Sequence, residues 1–234
     1  LKRMVDYCYE NVPFYHEKLD AAGITSGDQI KTLSDIQYLP YTTKDDIRDH
    51  YPFQMLAVPM RQITRIHASS GTTGKPTVGC YTKDDLDRWS DQVARVAVGG
   101  GATADDIIQI SFGYGLFTGA LGLHYGLEKI GAVVIPASSG NTAKQLMMFR
   151  DFGVTGLVAT PSYALYLSEV MKEQGYPRSD YKLRIGLLGS ESCTPEMRAQ
   201  IDENMGIFVS DNYGMTELGG PGVAGECHLR CGLH

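Results

Sequence analysis

Residues 69–76 read Ser69-Ser70-Gly71-Thr72-Thr73-Gly74-Lys75-Pro76. The two glycines let backbone N–H groups approach an anion, and the hydroxyls of Ser69, Ser70, Thr72 and Thr73 add donors. Lys75 adds a compact positive charge suited to phosphate. The chemistry implied is phosphate binding, although a ligand-free polar surface turn has the same composition. A Walker-type loop is ruled out. It needs four residues between its glycines and a Ser or Thr after the lysine, opening a helix. Here only Thr72 and Thr73 separate Gly71 from Gly74, Pro76 replaces the hydroxyl, and Thr77 to Tyr81 reads as a strand.

Other segments carry chemistry-bearing residues. Asp211-Asn212-Tyr213-Gly214-Met215-Thr216-Glu217 ends in a carboxylate, a hard oxygen ligand that suits Mg²⁺. Taken alone it is equally a turn after a strand, with Gly214 at the apex. Gly189-Ser190-Glu191 follows an apolar run. Ser192 and Thr194 behind it suit the cap of a helix at 195–204. Between 111 and 136, Phe112, Tyr114 and Phe117 are interleaved with Gly113, Gly115 and Gly119. Aromatic walls with small neighbours suit a flat aryl group, and they also suit a plain core. The tail places Cys227, His228, Cys231 and His234 close together. These are zinc-type ligands, or unmetallated groups in a loop. His16, His50, His67 and His124 show no partner in the sequence and read as structural or surface groups.

These segments must be positioned by the elements around them. Residues 1–60 read as short helices joined by Pro and Gly turns, with one helical pattern over 5–24 that stops at Gly23. Ser34 and Thr43 are the expected helix caps. From residue 61 the pattern alternates. Strands are expected at 62–68, 107–112, 132–136, 156–159, 183–188 and 207–211. Helices are expected at 83–99, 116–130, 143–152, 163–174 and 195–204. Short apolar strands separated by helices imply an α/β fold with mostly parallel sheets flanked by helices. In such sheets ligands sit beyond the carboxyl ends of the strands. The segments at 69–76, 189–191 and 211–217 all fall there. Residues 218–234 show no strand or helix pattern. The expected organisation is a helical segment 1–60, an α/β binding core 61–217, and the start of a Gly/Cys/His-rich segment 218–234.

The 234-residue chain is 43% hydrophobic and 21% charged, with net charge −6. Mild acidity argues against a nucleic-acid partner. No apolar run approaches the roughly 18 residues of a membrane span. The first residues lack the apolar core of a secretion signal. Five scattered cysteines do not suggest a disulfide framework, and the expected setting is the cytoplasm.

The motif Ser69–Pro76 resembles the phosphate loop of the adenylate-forming superfamily, and Asp211–Glu217 resembles its Tyr-Gly-x-Thr-Glu motif. Gly189-Ser190-Glu191 is similar to the adenine-side Gly-Ala-Glu of the phenylacetate-CoA ligase family, with Ser190 in place of Ala. Residues 111–136 closely resemble that family's acyl-pocket segment, with Phe112 where Tyr is frequent. The resemblance covers essentially the whole chain. It implies the amino-terminal large-domain portion of the adenylate-forming fold. Tyr213 is expected to stack on adenine, Thr216 to touch the α-phosphate and Glu217 to hold Mg²⁺. Lys75, Thr72 and Thr73 are expected to serve the triphosphate, and Phe112, Tyr114, Phe117 and Gly119 the acyl group. Cys227 and His234 are the expected zinc ligands, with Cys231 or His228 as spares. The implied substrates are ATP, coenzyme A and an aryl acid. A homodimer is admitted without being required. The family also uses a lysine on a small carboxy-terminal domain that follows these residues. The present residues are therefore expected to bind nucleotide and acid with little ligase activity by themselves. The alternatives are a related adenylating enzyme with another acceptor, and a non-catalytic nucleotide-binding fragment.

Overall fold

The computed structural model describes residues 1–71 and 74–234. These fall into two compact units, Leu1–Lys83 and Asp84–His234.

The first unit opens with α1 (Lys2–Asn11) and α2 (Pro13–Ala21). The single helical pattern expected over 5–24 is therefore two helices. Pro13 lacks an N–H and pushes Val12 to an extended φ of −124°, so Pro13 starts a new helix at its first position. Val5, Leu19, Ile24 and Ile30 form a small core. A 3₁₀ turn at Leu33–Tyr38 has Thr32 as its cap rather than Ser34, because the Asp35 carboxylate accepts from the Thr32 N–H at 2.7 Å. Thr43 caps α3 (Lys44–Asp49) as expected, with the Asp46 N–H donating to its Oγ1. The unit ends in an antiparallel pair, β1 (Ile63–Ala68) and β2 (Val78–Thr82).

The second unit is α/β. In chain order it holds α4 (Lys83–Gly99), β3 (Ile107–Ile110), α5 (Thr118–Lys129), β4 (Val133–Ile135) and α6 (Thr142–Asp151). It continues with β5 (Gly156–Ala159), α7 (Pro161–Glu173), β6 (Ile185–Gly189), α8 (Pro195–Met205), β7 (Phe208–Met215) and β8 (Gly220–Gly225). The sheet order is β4-β3-β5-β6-β7-β8. All neighbours run parallel except β7 and β8. Every residue of β5 and β6 is buried, as a parallel sheet covered on both faces requires. Phe149, Leu157, Leu167, Leu188, Ile201 and Met205 are fully buried in one cluster with the flanking helices. Each such side chain contributes roughly 1.5–3 kcal/mol. No helix among the described residues is long and apolar enough to cross a membrane.

The amino-terminal ends of the strands are stitched together around Asp106, which is only 2% exposed. Its carboxylate accepts from the Thr103 N–H at 2.8 Å, the Thr155 hydroxyl at 2.7 Å and the Arg184 Nε at 2.8 Å. Arg184 Nη2 also donates to it. Burial pushes its pKa up, but these donors outweigh that and hold it below the ordinary carboxylate value.

Two expectations fail at the far edge. The strand expected to stop at Asp211 continues to Met215. The segment expected to be irregular after 218 contains β8. Gly214 is not a turn apex. It pairs with Pro221, and the reversal lies at Thr216–Gly219. Asn, Gly and Pro are poor strand formers, but here pairing with β6 and β8 overrides local preference.

Candidate active site

The carboxyl ends of β6 and β7 open onto a cavity of about 120 Å³. β6 supplies Leu187, Leu188 and Gly189, followed by Ser190. β7 and its turn supply Asn212, Gly214, Met215 and Thr216. The loop after β3 supplies Phe112 and Phe117, and α5 supplies Thr118, Gly119 and Leu123. The first residues of β8, Gly220 and Pro221, complete the wall. Thus two of the expected nucleotide segments and the expected aromatic loop meet in one place. The volume is somewhat below the roughly 150 Å³ of a closed cavity that admits benzene, and this one is open to the surface.

Local structure explains how these groups are held. Phe112 and Phe117 meet edge to face, with ring centroids 6.0 Å apart and planes at 87°. Gly189 allows β6 to approach β7 closely, since a Cβ there would lie 2.4 Å from the Asn212 carbonyl oxygen. Ser190 sits in the left-handed region at φ +74°. That costs a non-glycine residue roughly 1–2 kcal/mol and is a strain often kept at functional sites. The Asn212 Nδ2 donates to the Leu188 carbonyl at 3.3 Å and the Ser210 carbonyl at 3.0 Å. Its Oδ1 is buried against Gly225 with no partner among the described residues.

The remaining expected residues lie around this cavity or away from it. Tyr213 is 47% exposed, and its hydroxyl lies 3.4 Å from the Met215 sulfur. Glu217 lies on the Thr216–Leu218 turn, next to the cavity-lining Thr216. The Glu191 carboxylate accepts from the Ser162 N–H at 2.6 Å, so it caps the first turn of α7. The Asp211 carbonyl accepts from the Glu226 N–H at 2.9 Å. Burial, then the nearby Glu226 carboxylate, raise the Asp211 pKa.

Tyr114 is not among the cavity-lining residues. Its hydroxyl lies 3.0 Å from the His124 Nδ1, and the His124 Nε2 lies 3.1 Å from the Glu128 carboxylate. Burial, then the charge of Glu128, push the Tyr114 phenol up to about 12. The sequence showed no partner for His124, His16 or His50, and the structure gives each one. The His16 ring stacks on Tyr9 at 4.2 Å, and the His50 Nδ1 lies 2.7 Å from the Asp46 carbonyl. Thr118, Leu123, Leu187, Leu188, Gly220 and Pro221 line the cavity without having been singled out from sequence. Gly219-Gly220-Pro221, one residue after the motif, was the signal for the last two, because such a run marks a turn.

The loop 69–76 belongs to the first unit. Thr72 and Thr73 lie outside the described residues. The Ser69 N–H donates to the Thr77 carbonyl, and the Thr77 N–H donates to the Ser69 hydroxyl, both at 2.9 Å. Gly71 and Gly74 take φ of +67° and +136°, which favour glycine. Ser70 and Lys75 are exposed. The Lys75 ammonium lies 5.6 Å from the Tyr51 ring centroid.

In the tail, the donor atoms of Cys227, Cys231 and His234 all lie within 4.8 Å of one another. The His234 Nε2 is 3.4 Å from the Cys227 sulfur and 3.8 Å from the Cys231 sulfur. A tetrahedral zinc bound to S and N implies an S···N edge of about 3.5 Å, so the soft donor set fits that ion with one ligand to be added. His228 is not among the clustered donors. The loop is pinned by Arg230, whose guanidinium bonds the Val209 carbonyl and the Asp202 carboxylate and lies over the Phe208 ring.

Comparison with known proteins accounts for this arrangement. Residues 16–231 match the family model described as AMP-binding enzyme. The phenylacetate-coenzyme A ligase of Escherichia coli K12 is 50% identical over 228 residues, covering 97% of this chain and 52% of that protein. The phenylacetate-coenzyme A ligase of Thermus thermophilus is 45% identical over 227 residues, covering 97% and 51%. Among solved structures, a 2-hydroxyisobutyryl-CoA ligase in complex with 2-HIB-AMP and CoA in its thioesterification state superposes with a TM-score of 0.92. It is 27% identical and covers 99% of this chain and 51% of that one. The chain therefore spans about half the length of the curated relatives it matches. With its alternating sheet, its strand-end motifs and these matches, the chain belongs to the AMP-binding enzyme family, alongside the phenylacetate-coenzyme A ligases.

Proposed function

We propose that this chain carries the nucleotide and acyl half-sites of an ATP-dependent ligase that joins phenylacetate or a related arylacetate to coenzyme A. The observation that carries this reading is the single cavity shared by the Gly189-Ser190 and Asn212–Thr216 segments and the Phe112/Phe117 pair. One end of such a site meets a nucleotide and the other a flat ring. The names of the curated relatives support it.

The reaction would run in two steps. A carboxylate oxygen attacks the α-phosphorus of ATP, a new O–P bond forms, and pyrophosphate leaves. The sulfur of coenzyme A then attacks the acyl carbon, the C–O bond to AMP breaks, and the thiol proton passes to solvent. A carboxylate is already ionised near neutral pH, so no base is needed for the first step. Catalysis is then positioning and charge neutralisation. Lys75, with the Ser69–Gly74 loop, would hold phosphate oxygens. Thr216 would donate to the α-phosphate, and Tyr213 would offer a ring face to adenine. Glu217 presents a hard oxygen beside Thr216, a ligand suited to Mg²⁺, which supplies neutralisation of phosphate charge. Cys227, Cys231 and His234 would hold a structural zinc. Coenzyme A, ATP and the acid are the expected partners, without nucleic acid. The free cysteines support a reducing, cytoplasmic setting.

The test is a calorimetric titration of this chain with a non-hydrolysable phenylacetyl-adenylate mimic, set against ATP with magnesium. Binding of the mimic that weakens when Tyr213 or Thr216 is replaced supports the reading. Absence of binding by a folded chain overturns it.

A further inference from the structure

The loop 111–117 that supplies the two cavity aromatics is rich in glycine, with Gly113 and Gly115 inside it and Gly119 just beyond. Gly115 has φ +156°, and no heavy atom lies within 4 Å of where its Cβ would be. Glycines of this kind give a loop many conformations to lose when a ligand needs it fixed. One side chain at the middle of the loop is nevertheless tied down. The Tyr114 hydroxyl meets the His124 Nδ1 at 3.0 Å, and His124 lies on α5, the helix that the loop leads into. The Tyr114 and His124 rings also meet edge to face at 5.8 Å.

The donor roles follow from the partners. The Glu128 carboxylate, 3.1 Å from the His124 Nε2, can only accept. Nε2 therefore carries the proton, and in the neutral ring Nδ1 is the acceptor for the Tyr114 O–H. Glu128 and His124 are one helical turn apart, so α5 itself sets the tautomer. The tie closes a short ring of chain between residues 114 and 124. Phe112 lies just before it, and Phe117 lies inside it.

We propose that His124, oriented by Glu128, is a positioning residue that holds Tyr114 and thereby fixes the Phe112–Phe117 corner that selects aryl acids. This rests on the reading of the cavity as an acyl-adenylate site. His124 touches no ligand. It acts by preorganising an otherwise glycine-loosened wall, so its contribution falls on ring recognition and leaves the nucleotide end alone. A residue with a merely structural role would weaken all ligands together.

The experiment is calorimetric titration of this chain with non-hydrolysable mimics of phenylacetyl-adenylate and of acetyl-adenylate, for the parent and for His124→Leu, His124→Asn and Tyr114→Phe. The readout is the ratio of the two affinities. The Leu and Phe variants are expected to reduce the aryl preference about five- to tenfold, with acetyl-adenylate binding unchanged, the scale of a lost aromatic contact. The Asn variant keeps an acceptor near the Nδ1 position and is expected to retain the ratio within about twofold. The Leu–Phe double variant should lose no more than either single one, because the two changes break the same bond. Should His124→Leu fail to fold, Tyr114→Phe removes a single oxygen and carries the test. A parent that binds neither mimic, or shows no aryl preference, overturns the site reading and this inference with it. A parent with aryl preference and variants that keep it, or that weaken both mimics equally, overturns the inference alone.

Discussion

Replacing Gly119 by alanine is the sharpest probe of the cavity. A Cβ at that position would lie 2.3 Å from the Phe117 Cε1 and 2.9 Å from its Cζ. Ordinary contact requires about 3.5–4.0 Å, so the ring must move by more than about 1 Å. It can do so, because Phe117 is 39% exposed and precedes the first turn of α5. The helix itself gains from the change, since alanine is better than glycine in a helix by about 1 kcal/mol. Stability should therefore stay within about 1 kcal/mol of the parent, the two effects opposing each other. Binding should not stay. Swinging Phe117 takes its ring away from a bound aryl group, and an aromatic pair of that kind is worth about 0.5–1.5 kcal/mol. Affinity for a phenylacetyl-adenylate mimic is expected to drop about two- to twelvefold at 1.4 kcal/mol per decade. Affinity for AMP should be unchanged, because Phe117 and Gly119 line the α5 side of the cavity and the segments proposed to meet adenine and the α-phosphate lie on β6 and β7. Calorimetry gives both numbers and thermal unfolding gives the third. An unchanged aryl affinity in Gly119→Ala would mean that Phe117 is not a wall of the acyl site.

Four further outcomes are expected. Tyr213→Ala should weaken AMP binding by about 1–3 kcal/mol, the range for a base stacked on an aromatic ring, with no loss of stability from this exposed side chain; fluorescence titration checks it. Glu217→Gln should abolish the magnesium dependence of ATP binding and leave the adenylate mimic bound as before, read by titrations with and without the metal. Cys227→Ala or His234→Ala should lower zinc affinity at least about tenfold in competition with a chromophoric chelator, and a parent that takes up no zinc would sink the assignment. Asp106→Ala should cost about 3 kcal/mol in urea unfolding, because it strands donors from Thr103, Thr155 and Arg184. The folded pKa of Asp106 is lowered, so its stabilisation is present above the unfolded carboxylate pKa and fades as pH falls through the folded value. The parent should lose more stability than Asp106→Ala below about pH 4.

Strand and helix periodicity made most of the second unit legible. The interior of β5, at Gly156–Ala159, reads as a short apolar run flanked by breakers, which is what a doubly covered parallel strand is. The site was legible through residue types that make poor regular structure. Glycine and hydroxyl clusters at strand ends are rarely needed for packing. The same composition concealed the edge of the sheet. Asn212 and Gly214 read as strand breakers, yet each is held by a neighbouring strand that no local window contains. Pro221 is tolerated on β8, which lies at the edge of the sheet among the described residues and needs no donor on its outer side. The Tyr114–His124 tie was invisible for another reason, since ring-to-ring contact across a loop and a helix leaves no periodic trace. Thr32 rather than Ser34 became a cap because the Asp35 carboxylate reached back to it.

The sheet grows outward in nearly the order in which the chain is made. β3 is the seed, β4 joins one side, and β5, β6, β7 and β8 then add in turn to the other. A chain that folds as it is made would find each new strand's partner already in place, and the search for it would be short. Among the described residues, the motif-bearing edge is thus the last to be added. Until Gly220–Gly225 emerges, Asn212 to Met215 lacks its antiparallel partner, and a nascent chain stalled there would present an open strand edge to its neighbours. The hairpin that closes the cavity wall is thus also what covers the β7 edge.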